Sequence, residues 1–585
     1  MGTRQKPIAV IDAETDPFKK GRFPIPFIWG FYDGQTYQEF TDLAALPGKM
    51  AKAAISDGMQ DTSEFIPFLE EREIIVYAHN GGKFDFHLGL LEYMDPFETV
   101  MIIAGRLARF KIGLCEFRDS FNILPVALAE YQKQEFDYTL LEREQRYKPH
   151  NWKKIREYLY SDCINQFDMV SKFQARYGRH LTQAGASMKY WAKVTGNKAP
   201  QSTPEFYHLF KVFYYGGRTE AFEAGIIKNK LELIDINSAY PEAMLSEHPF
   251  SLEYVYSTDA EYDETKITGG DFYHVVCNSH GAFPFRVEDG SLIFPNDNAT
   301  REYHVTGWEL QAALDTHTVS NLKVIGFYSF TESINFSDYI LPLYDERLEA
   351  KANNDKAGDL FNKLLMNSLY GKFASNPEEY GEFLVLDPEY VGLLDLKDSD
   401  GKIKRGVNIE DDELFNYSFA GELGPWALAR RPLFEERQRY YNVATAASIT
   451  GYVRAKLWRA ICQCHGVVYC DTDSIVCRRP GPLPLGKALG EWSIDGEFTE
   501  GAIAGKKLYA FKYKKGTEPT DKKTGKKKDY KTACKGGRLE APEIYRVAKG
   551  ETVLYEPESP TYSVFQKPQF ISKSFKLTAK RKLRI

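Results

Sequence analysis

The alternation of apolar and polar residues predicts short strands that end on acidic side chains. Apolar pairs at 467–468 and 475–476 predict a hairpin with Asp471 and Asp473 at its turn. Another apolar run ends on Asp235, which predicts a strand that carries its carboxylate to a loop. Each of these acidic side chains is therefore expected at a turn or at the end of a strand.

The spacing of these carboxylates favours metal chemistry. At a spacing of two, Asp471 and Asp473 can point to one side of the backbone. Such a pair attracts divalent cations, and Mg²⁺ takes one or two carboxylates together with substrate phosphates. With Asp235 the set can form a two-metal clamp for phosphoryl or nucleotidyl transfer. The alternatives are a solvated hairpin turn, and an Asp235 that only caps the helix after it.

A helix is predicted near the middle of the chain. The segment 363–371 has a helical pattern, which Gly371 tends to stop. Lys363, Asn367 and Tyr370 stand at i, i+4 and i+7, so they share one face. That face offers a cation for a triphosphate, an amide, and an aromatic ring for stacking. The alternative is a solvated lysine beside ordinary core residues.

Together these three segments resemble family B DNA polymerases. The sequence contains, in order, Asp-x-x-Ser-x-Tyr-Pro, Lys-x3-Asn-Ser-x-Tyr-Gly and Tyr-x-Asp-Thr-Asp-Ser, and it is most similar to the protein-primed branch of small linear-genome phages. The resemblance implies that Asp235 and Asp473 bind the catalytic metals and that Asp471 supports them. It also implies a set of dNTP contacts: Tyr240, which rejects a 2′-hydroxyl, Lys351, Lys363, Asn367 and Tyr370.

The N-terminal part carries a second set of carboxylates. An apolar strand ends in Asp12 and Glu14, while Tyr158 and Asp162 stand at i, i+4 on one helix face. Each piece alone is weak, but in order they resemble the 3′–5′ exonuclease of proofreading polymerases. Its chemistry needs carboxylates for two metals and a group that orients water. The resemblance implies metal ligands Asp12, Glu14, Asp85 and Asp162, with Tyr158 orienting the water.

The same resemblance implies contacts to DNA in both halves of the chain. For the single-stranded 3′ end and its editing, the implied residues are Asn80, Phe84, Ser120 and Lys133. A Tyr-x-Gly-Gly segment implies a template contact that coordinates synthesis with editing, through Tyr214, Gly216 and Gly217. A Lys-x-Tyr motif implies that Lys507 and Tyr509 hold the primer. The alternative for the glycine pair is a plain turn.

Composition agrees with contact to nucleic acid only locally. The net charge is −6, but residues 506–535 contain twelve lysines with interleaved aromatic residues, a pattern suited to a phosphate backbone. Apolar residues make up 43% of the 585 residues, enough for sizeable cores. No apolar run is long enough to span a membrane, and no signal peptide is present. We therefore expect the cytoplasm of the host cell.

Two long gaps between motifs predict inserted subdomains. Asp235 and Asn367 are 132 positions apart, and Asn367 and Asp471 are 104 apart. Structureless loops of that length are uncommon in compact domains. A strand is predicted in the second gap, at 383–386, and a helical pair precedes it, at 341–354 and 358–370.

The fold class that follows is an α/β multidomain chain. An RNase H-like exonuclease domain precedes a right-hand polymerase of palm, fingers and thumb, with two inserted subdomains. The expected parts are 1–175 (exonuclease), 176–246 (linker and first part of the palm), 247–340 (first insertion, contacting the priming protein and duplex), 341–375 (fingers), 376–436 (second insertion, for strand displacement and processivity), 437–532 (second part of the palm) and 533–585 (thumb).

The expected ligands and partners follow from the same resemblance. We expect two Mg²⁺ ions per active site, with Mn²⁺ as an alternative, and primer-template DNA, single-stranded DNA and dNTPs as ligands. A terminal protein is the expected priming partner of a monomeric enzyme. Two rival functions are a nuclease whose second half only holds DNA, and a non-catalytic single-strand-binding protein. Lys363 and the complete aspartate set argue against the first, and seven clustered carboxylates argue against the second.

Overall fold

The structure is a computed structural model of the 585-residue chain. It describes residues 5–131, 135–390, 395–397, 403–405, 417–520 and 525–578. Among these residues, no helix combines the length and apolar character that crossing a membrane requires.

The N-terminal part is built on a mixed sheet with a long helix across it. Its strands are β1 (Ile8–Thr15), β2 (Pro26–Tyr32), β3 (Tyr37–Thr41), β4 (Gln60–Asp61), β5 (Ile75–Ala78), β6 (Thr99–Ile103), β7 (Arg106–Ile112) and β8 (Cys115–Asp119). Its helices are α1 (Gly48–Ser56), α2 (Phe65–Glu70), α3 (Leu128–Tyr131), α4 (Arg143–Arg146) and α5 (Pro149–Tyr177). The predicted strand over Asp12 and Glu14 is confirmed as β1.

The position of β1 explains why its carboxylates are enclosed. It lies between β2, with which it pairs antiparallel, and β5, with which it pairs parallel. Helix α5 begins with Pro149 in its first turn, where a missing N–H costs nothing, and ends before Gly178 at φ 85°. Its apolar residues face β1 and β2, so the helix places Asp162 over the end of β1.

The next elements connect this part to a second sheet. They are α6 (Gln183–Thr195), β9 (Gln201–Ser202), α7 (Pro204–Lys211), β10 (Thr219–Ala221), β11 (Gly225–Ile227), β12 (Leu231–Ile236) and α8 (Ala239–Ala243). Strand β12 becomes central in the second sheet, which confirms the strand predicted before Asp235.

The first insertion forms a small sheet and a helix of its own. Its elements are β13 (His248–Pro249), β14 (Tyr254–Thr258), β15 (Phe272–Asn278), β16 (Phe285–Arg286), β17 (Leu292–Ile293), β18 (Arg301–Thr306), α9 (Gly307–Asp315), β19 (Ser320–Phe330) and β20 (Ser333–Ile334). The strand order β14-β19-β15-β18 makes one antiparallel sheet.

The predicted helical pair is confirmed, but its second helix is longer than expected. Helices α10 (Ser337–Ala352) and α11 (Lys356–Phe373) pack against each other and against α6. Gly371 does not stop α11, so that expectation was wrong. The apolar face of α11 continues through buried Phe373, and burial of that ring outweighs the low helix propensity of glycine.

The second insertion extends the N-terminal sheet. Its strands are β21 (Gly381–Leu386), β22 (Asp395–Lys397), β23 (Ile403–Arg405), β24 (Ser418–Leu423) and β25 (Trp426–Pro432). Strand β21 confirms the strand predicted at 383–386. It pairs with β6, with Phe383 opposite Val100, and β25 and β24 follow outward. The first and second halves of the chain therefore share one sheet.

The remaining elements complete the second sheet and the C-terminal part. They are β26 (Tyr440–Tyr441), α12 (Val443–Gln463), β27 (His465–Asp471), β28 (Ser474–Arg479), β29 (Trp492–Gly505), β30 (Leu508–Tyr513), β31 (Tyr530–Cys534), α13 (Ala541–Ala548), β32 (Val553–Tyr555) and β33 (Lys573–Phe575). The second sheet runs β10-β27-β28-β12-β29-β30-β31. Helix α12 is buried along nearly its whole length, and its apolar residues share a hydrophobic core with Ile234, Cys470 and Ile475 of this sheet.

Candidate functional site

The first acidic cluster lies where the hairpin β27–β28 meets β12. Asp471 ends β27, and Thr472 at φ 61° makes the tight turn that returns the chain at Asp473. Because β12 pairs with β28, Asp235 lies opposite Ser474, and Asp471 lies opposite the same serine on β27. The predicted hairpin is confirmed, and its register brings the three predicted aspartates to one edge of the sheet.

Mutual repulsion and burial dominate this cluster. Burial first, and then the charges of Asp473 and Asp495, raise the pKa of Asp235 to about 7, against the opposing effect of Lys531 and Lys363. Burial also raises the pKa of Asp473 above its usual range. Carboxylates held close together without a matching set of cations have room for divalent ions.

One carboxylate of the cluster has a fixed cationic partner. The Lys507 Nζ lies 2.9 Å from Asp471 Oδ2, and the Thr219 hydroxyl donates to Asp471 Oδ1 at 3.0 Å. The Lys507 backbone N–H donates to the Tyr469 hydroxyl at 2.9 Å, and the Tyr469 ring packs against Tyr509. The predicted Lys-x-Tyr motif thus touches the aspartate motif directly.

The helix face predicted to bind nucleotide lies beside this cluster. The rings of Tyr240 and Tyr370 stack with centroids 4.5 Å apart and planes 9° apart. Asn367 and Lys363 are both exposed, and the Asn367 amide donates to the Lys363 carbonyl at 2.7 Å. Partial burial, followed by the charges of neighbouring cations including Lys363, lowers the pKa of Lys351. Two lysines and a flat aromatic pair therefore face the acidic edge.

The glycine pair plays two different structural parts. A Cβ on Gly217 would lie 2.8 Å from Thr472, closer than carbon atoms pack, whereas a Cβ on Gly216 would meet nothing within 4 Å. The Thr472 N–H donates to the Arg218 carbonyl at 2.6 Å, which ties the segment to the aspartate turn. Buried Arg454 donates to the Gly216 carbonyl at 3.1 Å. Gly217 therefore allows the chain to pack closely against Thr472, whereas the space beside the backbone of Gly216 is empty.

The second acidic cluster lies at the end of β1. Oxygen atoms of Asp12, Glu14 and Asp162 all lie within 4.8 Å of one another, close enough to share a metal ion. Asp85, on a short turn after β5, is buried, with 3% of its surface exposed, and its charge acts on Asp12. The four predicted carboxylates are thus brought together from three separate segments.

Burial and like charge raise the pKa values of this cluster strongly. The pKa of Asp12 is well above its usual range because of burial and then the charges of Asp85, Asp162 and Glu14. Burial raises the pKa of Asp85 to about 7 and that of Asp162 to about 6. A divalent cation bound among these carboxylates would offset their mutual repulsion.

A layer of aromatic residues covers the helix side of this cluster. Tyr158 hydrogen-bonds Asp162, and burial and that carboxylate raise the pKa of Tyr158. The Tyr138 and Tyr158 hydroxyls lie 3.2 Å apart, and the Phe136 ring stacks on Tyr158 with centroids 4.2 Å apart. The Tyr158 hydroxyl is therefore held next to the acidic cluster rather than free to rotate.

The residues predicted to contact single-stranded DNA differ in burial and in their neighbours. Asn80 is at φ 67° and accepts a hydrogen bond from Arg106, while the half-buried Phe84 ring meets Tyr562 at 5.8 Å. Ser120 has no exposed surface, and its hydroxyl lies 3.0 Å from a ring nitrogen of His79. Lys133, the predicted editing lysine, lies outside the described residues.

Comparison with known proteins identifies the family of the chain. Residues 128–420 match the family described as DNA polymerase type B, organellar and viral. The DNA-directed DNA polymerase of Enterobacteria phage PRD1 is 38% identical over 515 residues, covering 86% of this chain and 82% of that protein. The chain belongs to the type B DNA polymerases. It is a DNA-directed DNA polymerase of the organellar and viral branch.

More distant proteins show the extent of the fold. A DNA polymerase of Bacillus phage Nf is 24% identical over 302 residues, covering 47% of this chain and 44% of that protein. The solved structure of phi29 DNA polymerase with primer-template DNA and incoming nucleotide covers 98% of this chain and 100% of that chain, with a TM-score of 0.68 at 17% identity. The predicted fold of exonuclease plus right-hand polymerase is confirmed.

Sequence reasoning missed several residues of this polymerase. Ser493 donates to Asp495 at 2.7 Å, and Asp495 belongs to the first cluster. Ser493 lies opposite Asp235 on β29, and Asp495 follows two residues later on the same face. This spacing of two polar residues is a sequence signal that could have identified them. Arg347, which ion-pairs Asp359 at 2.7 Å, reaches Ser238 of the first motif. Its place four residues before Lys351 on one helix face is a further signal.

Two other missed residues had no local signal. Arg106 pairs with Asp119 at 3.1 Å, contacts Asn80, and lies 4.3 Å over the Phe121 ring. Arg454 reaches the glycine segment from α12, more than two hundred positions away. Both depend on long-range packing, which a sequence pattern of a few residues does not encode.

Proposed function

We propose that this polymerase extends a primer 3′ end at the first cluster and removes mispaired nucleotides, in the 3′–5′ direction, at the second. One observation carries the proposal. The chain places two separate acidic clusters on two sheets, one beside an exposed lysine face and the other beside the aromatic side chains of Tyr158 and Phe84.

The donors of both clusters fit Mg²⁺, with Mn²⁺ as an alternative. Every predicted ligand is a carboxylate oxygen, and hard cations with oxygen ligands are the natural occupants. Asp235 and Asp473 would hold the ions for synthesis, and Asp12, Glu14, Asp85 and Asp162 those for editing. When bound, such ions lower the pKa of an attacking hydroxyl or water and neutralise phosphate charge.

The residues around the first cluster would bind and orient the nucleotide. The exposed ammonium groups of Lys363 and Lys351 attract a triphosphate and fix it beside the carboxylates. The Tyr240–Tyr370 stack makes a flat wall in which an added 2′-hydroxyl has little room. On the other side, Lys507 and Tyr509 bind the primer end near Asp471.

The residues around the second cluster would hold a frayed 3′ end. Tyr158, fixed by Asp162 and Tyr138, orients the attacking water. Asn80 and Phe84 lie toward the strand, and aromatic rings stack on bases without sequence preference. Because Ser120 is buried, its hydroxyl acts by positioning His79 rather than by direct contact.

We further infer a terminal protein as primer and strand displacement during elongation. The first insertion has its own sheet and helix, which supports a docking role next to the polymerase site. The second insertion joins the N-terminal sheet through β21, which suits a clamp between editing and synthesis. Relatives that are DNA polymerases of phages support a role in phage DNA replication. We infer that the protein acts in the host cytoplasm as a monomer.

A single primer assay tests the two-site proposal. A 5′-labelled primer on a longer template, with a blocking strand downstream, is incubated with the protein and Mg²⁺, with and without dNTPs. We expect growth through the block with dNTPs and 3′ shortening without them. Shortening in both reactions would instead indicate the nuclease alternative, in which Lys363 and Asp473 only hold DNA.

A further inference from the structure

The first insertion carries a polar cluster outside both acidic sites. His274 lies on β15, directly opposite His304 on β18, and the two imidazole rings stack with centroids 4.6 Å apart. Glu302 precedes His304 by two residues, so it lies on the same face of the sheet. The Glu302 Oε1 is 2.7 Å from His274 Nε2. Two imidazoles and a carboxylate therefore meet on one exposed face.

The ligand atoms of this cluster are close enough for a shared ion. One nitrogen of each histidine and a Glu302 oxygen all lie within 4.8 Å of one another. Cross-strand side chains in antiparallel sheets stand about 5 Å apart at Cβ, which brings ring nitrogens within reach of one metal. Coordination requires the two half-buried rings to rotate about χ2 out of their stack.

The surrounding residues hold the cluster in place. The Phe213 ring meets His304 edge-on at 5.2 Å and supports it from below. Gly326 lies opposite His274 on the other side, where a Cβ would overlap the Tyr256 hydroxyl. The absence of a side chain at that position lets the Tyr256 hydroxyl lie over the backbone beside His274.

A simple ion pair does not need this arrangement. The same chain contains such a pair elsewhere, with His208 Nε2 2.7 Å from Glu378 Oε1. The distance is the same as that between His274 and Glu302, but among the residues that the structure describes no second histidine forms a metal-sized group with that pair. The additional imidazole of His304 is what distinguishes the cluster, and it adds a third ligand atom from the neighbouring strand.

We propose that His274, Glu302 and His304 bind a zinc-type divalent cation. Imidazole nitrogens suit Zn²⁺ and its neighbours in the transition series, whereas Mg²⁺ prefers oxygen. Three protein ligands leave one position of a tetrahedral ion for water or for a partner's side chain. The ion would link β15 to β18 and fix His304 against Phe213, the residue before Tyr214.

Cobalt binding tests the site independently of catalysis. The metal-free full-length enzyme is titrated with Co²⁺ in excess Mg²⁺, which occupies the oxygen-only clusters. A low-coordinate site with nitrogen ligands gives a strong visible absorption, and octahedral oxygen coordination gives a weak one. We expect the strong band at one equivalent and its loss when Zn²⁺ is added. Only weak octahedral absorption throughout the titration would overturn the proposal.

Matched variants assign the band to these residues. His274→Ala, His304→Ala and Glu302→Gln should each weaken Co²⁺ binding by at least about tenfold, since even indirect partners of a metal ligand contribute that much. The control is His208→Ala, which removes the similar ion pair and should leave the titration unchanged. If His304→Ala does not fold, the titration of His274→Ala decides instead. An unchanged titration in His274→Ala would overturn the assignment.

Discussion

The two acidic clusters of this polymerase differ in the positive charge that surrounds their carboxylates. The first cluster, at which we propose synthesis, is called the polymerase cluster. Lys507 pairs with its Asp471, and Lys363 and Lys531 oppose the rise in the pKa of Asp235. In the second cluster, at which we propose editing and which is called the exonuclease cluster, burial and the other carboxylates raise the pKa of Asp12. Lysines partly neutralise the first cluster, whereas burial and like charge dominate the second.

The difference follows from the segments that surround each cluster. The polymerase aspartates lie at the ends of strands β12 and β27 and at the turn after β27, where Lys507, Lys531 of β31 and Lys363 of α11 act on them. The exonuclease carboxylates lie on and around β1 under α5, where burial and like charge raise the pKa values of Asp12 and Glu14. A divalent cation bound there would offset that repulsion.

The largest expected effect separates the two activities. Asp473→Ala should abolish primer extension and leave 3′ shortening, and Asp12→Ala with Asp85→Ala should do the reverse. A bound metal ion contributes several kcal/mol of transition-state stabilisation, and each 1.4 kcal/mol is a factor of ten, so we expect a loss of about a thousandfold. Both activities are measured on one labelled primer.

The control for these variants is the activity that each one should retain, because that activity shows that the chain is folded. Loss of both activities in a variant with an unchanged circular dichroism spectrum would contradict the two-site assignment. In that case the clusters would form one functional unit despite lying on separate sheets.

A second prediction compares the two neighbouring glycines. Gly217→Ala pushes a methyl group against Thr472 and displaces the aspartate turn, and a misplacement of about 1 Å costs about a hundredfold in rate. Extension should fall by that amount while shortening of single-stranded DNA stays unchanged. Both rates are measured at saturating dNTP.

The matched variant is Gly216→Ala, which meets nothing in the free protein. Any loss in this variant arises from DNA approaching the backbone, so it should appear as weaker primer-template binding with the maximal rate retained. Equal losses of maximal rate in both variants would show that the segment acts as a unit, and the distinction drawn between the two glycines would be wrong.

The sequence predicted the chemistry of both sites better than their surroundings. Asp471 and Asp473 follow from a hairpin pattern with a period of two, and Lys363, Asn367 and Tyr370 follow from helical spacing. These signals are local, so they survive without a structure. The end of α11 was predicted too early because the glycine signal is weaker than burial of Phe373.

What the sequence could not supply depends on contacts between distant segments. Arg454 and Gly216 are far apart in the chain but share a hydrogen bond, and β21 of the second insertion joins β6 of the N-terminal part. Burial of Ser120 beneath His79 is also a tertiary property. Motifs locate reactive groups, whereas packing decides which neighbours constrain them.

A third prediction uses pH to compare the two sites. The raised pKa values of Asp85, about 7, and Asp162, about 6, mean that the folded protein holds protons there that the unfolded chain has lost. Stability of the metal-free protein should therefore fall as pH rises from about 4 to 7. Metal ions must displace the same protons, so their apparent affinity should rise over that range.

The measurement is the Mg²⁺ concentration for half-maximal rate at pH 6 and pH 8. Each displaced proton contributes up to a factor of about ten per pH unit below its pKa. Four carboxylates of the exonuclease cluster have raised pKa values, against two of the polymerase cluster, so the Mg²⁺ requirement for 3′ shortening should depend more steeply on pH. Equal changes at the two sites would mean that cations near the polymerase cluster do not lower its proton affinity.

The smallest effect sharpens the comparison by making one site resemble the other. Lys507→Met removes the ion pair with Asp471 and the charge that opposes the raised pKa of Asp473. The pair is partly exposed, so we expect only about a fivefold lower extension rate, as for roughly 1 kcal/mol. The Mg²⁺ requirement for extension should also become more dependent on pH.

The control is Lys514→Met, which removes a similar ion pair, with Glu497 at 2.7 Å, away from the aspartate turn. It should leave the pH dependence of extension unchanged. If Lys507→Met slows extension without altering that dependence, the lysine acts only by binding primer, and the charge difference between the clusters has another source. If the dependence steepens toward that of the exonuclease, then a single lysine supplies most of the difference, because it pairs one of the carboxylates whose repulsion the metal ions must otherwise offset.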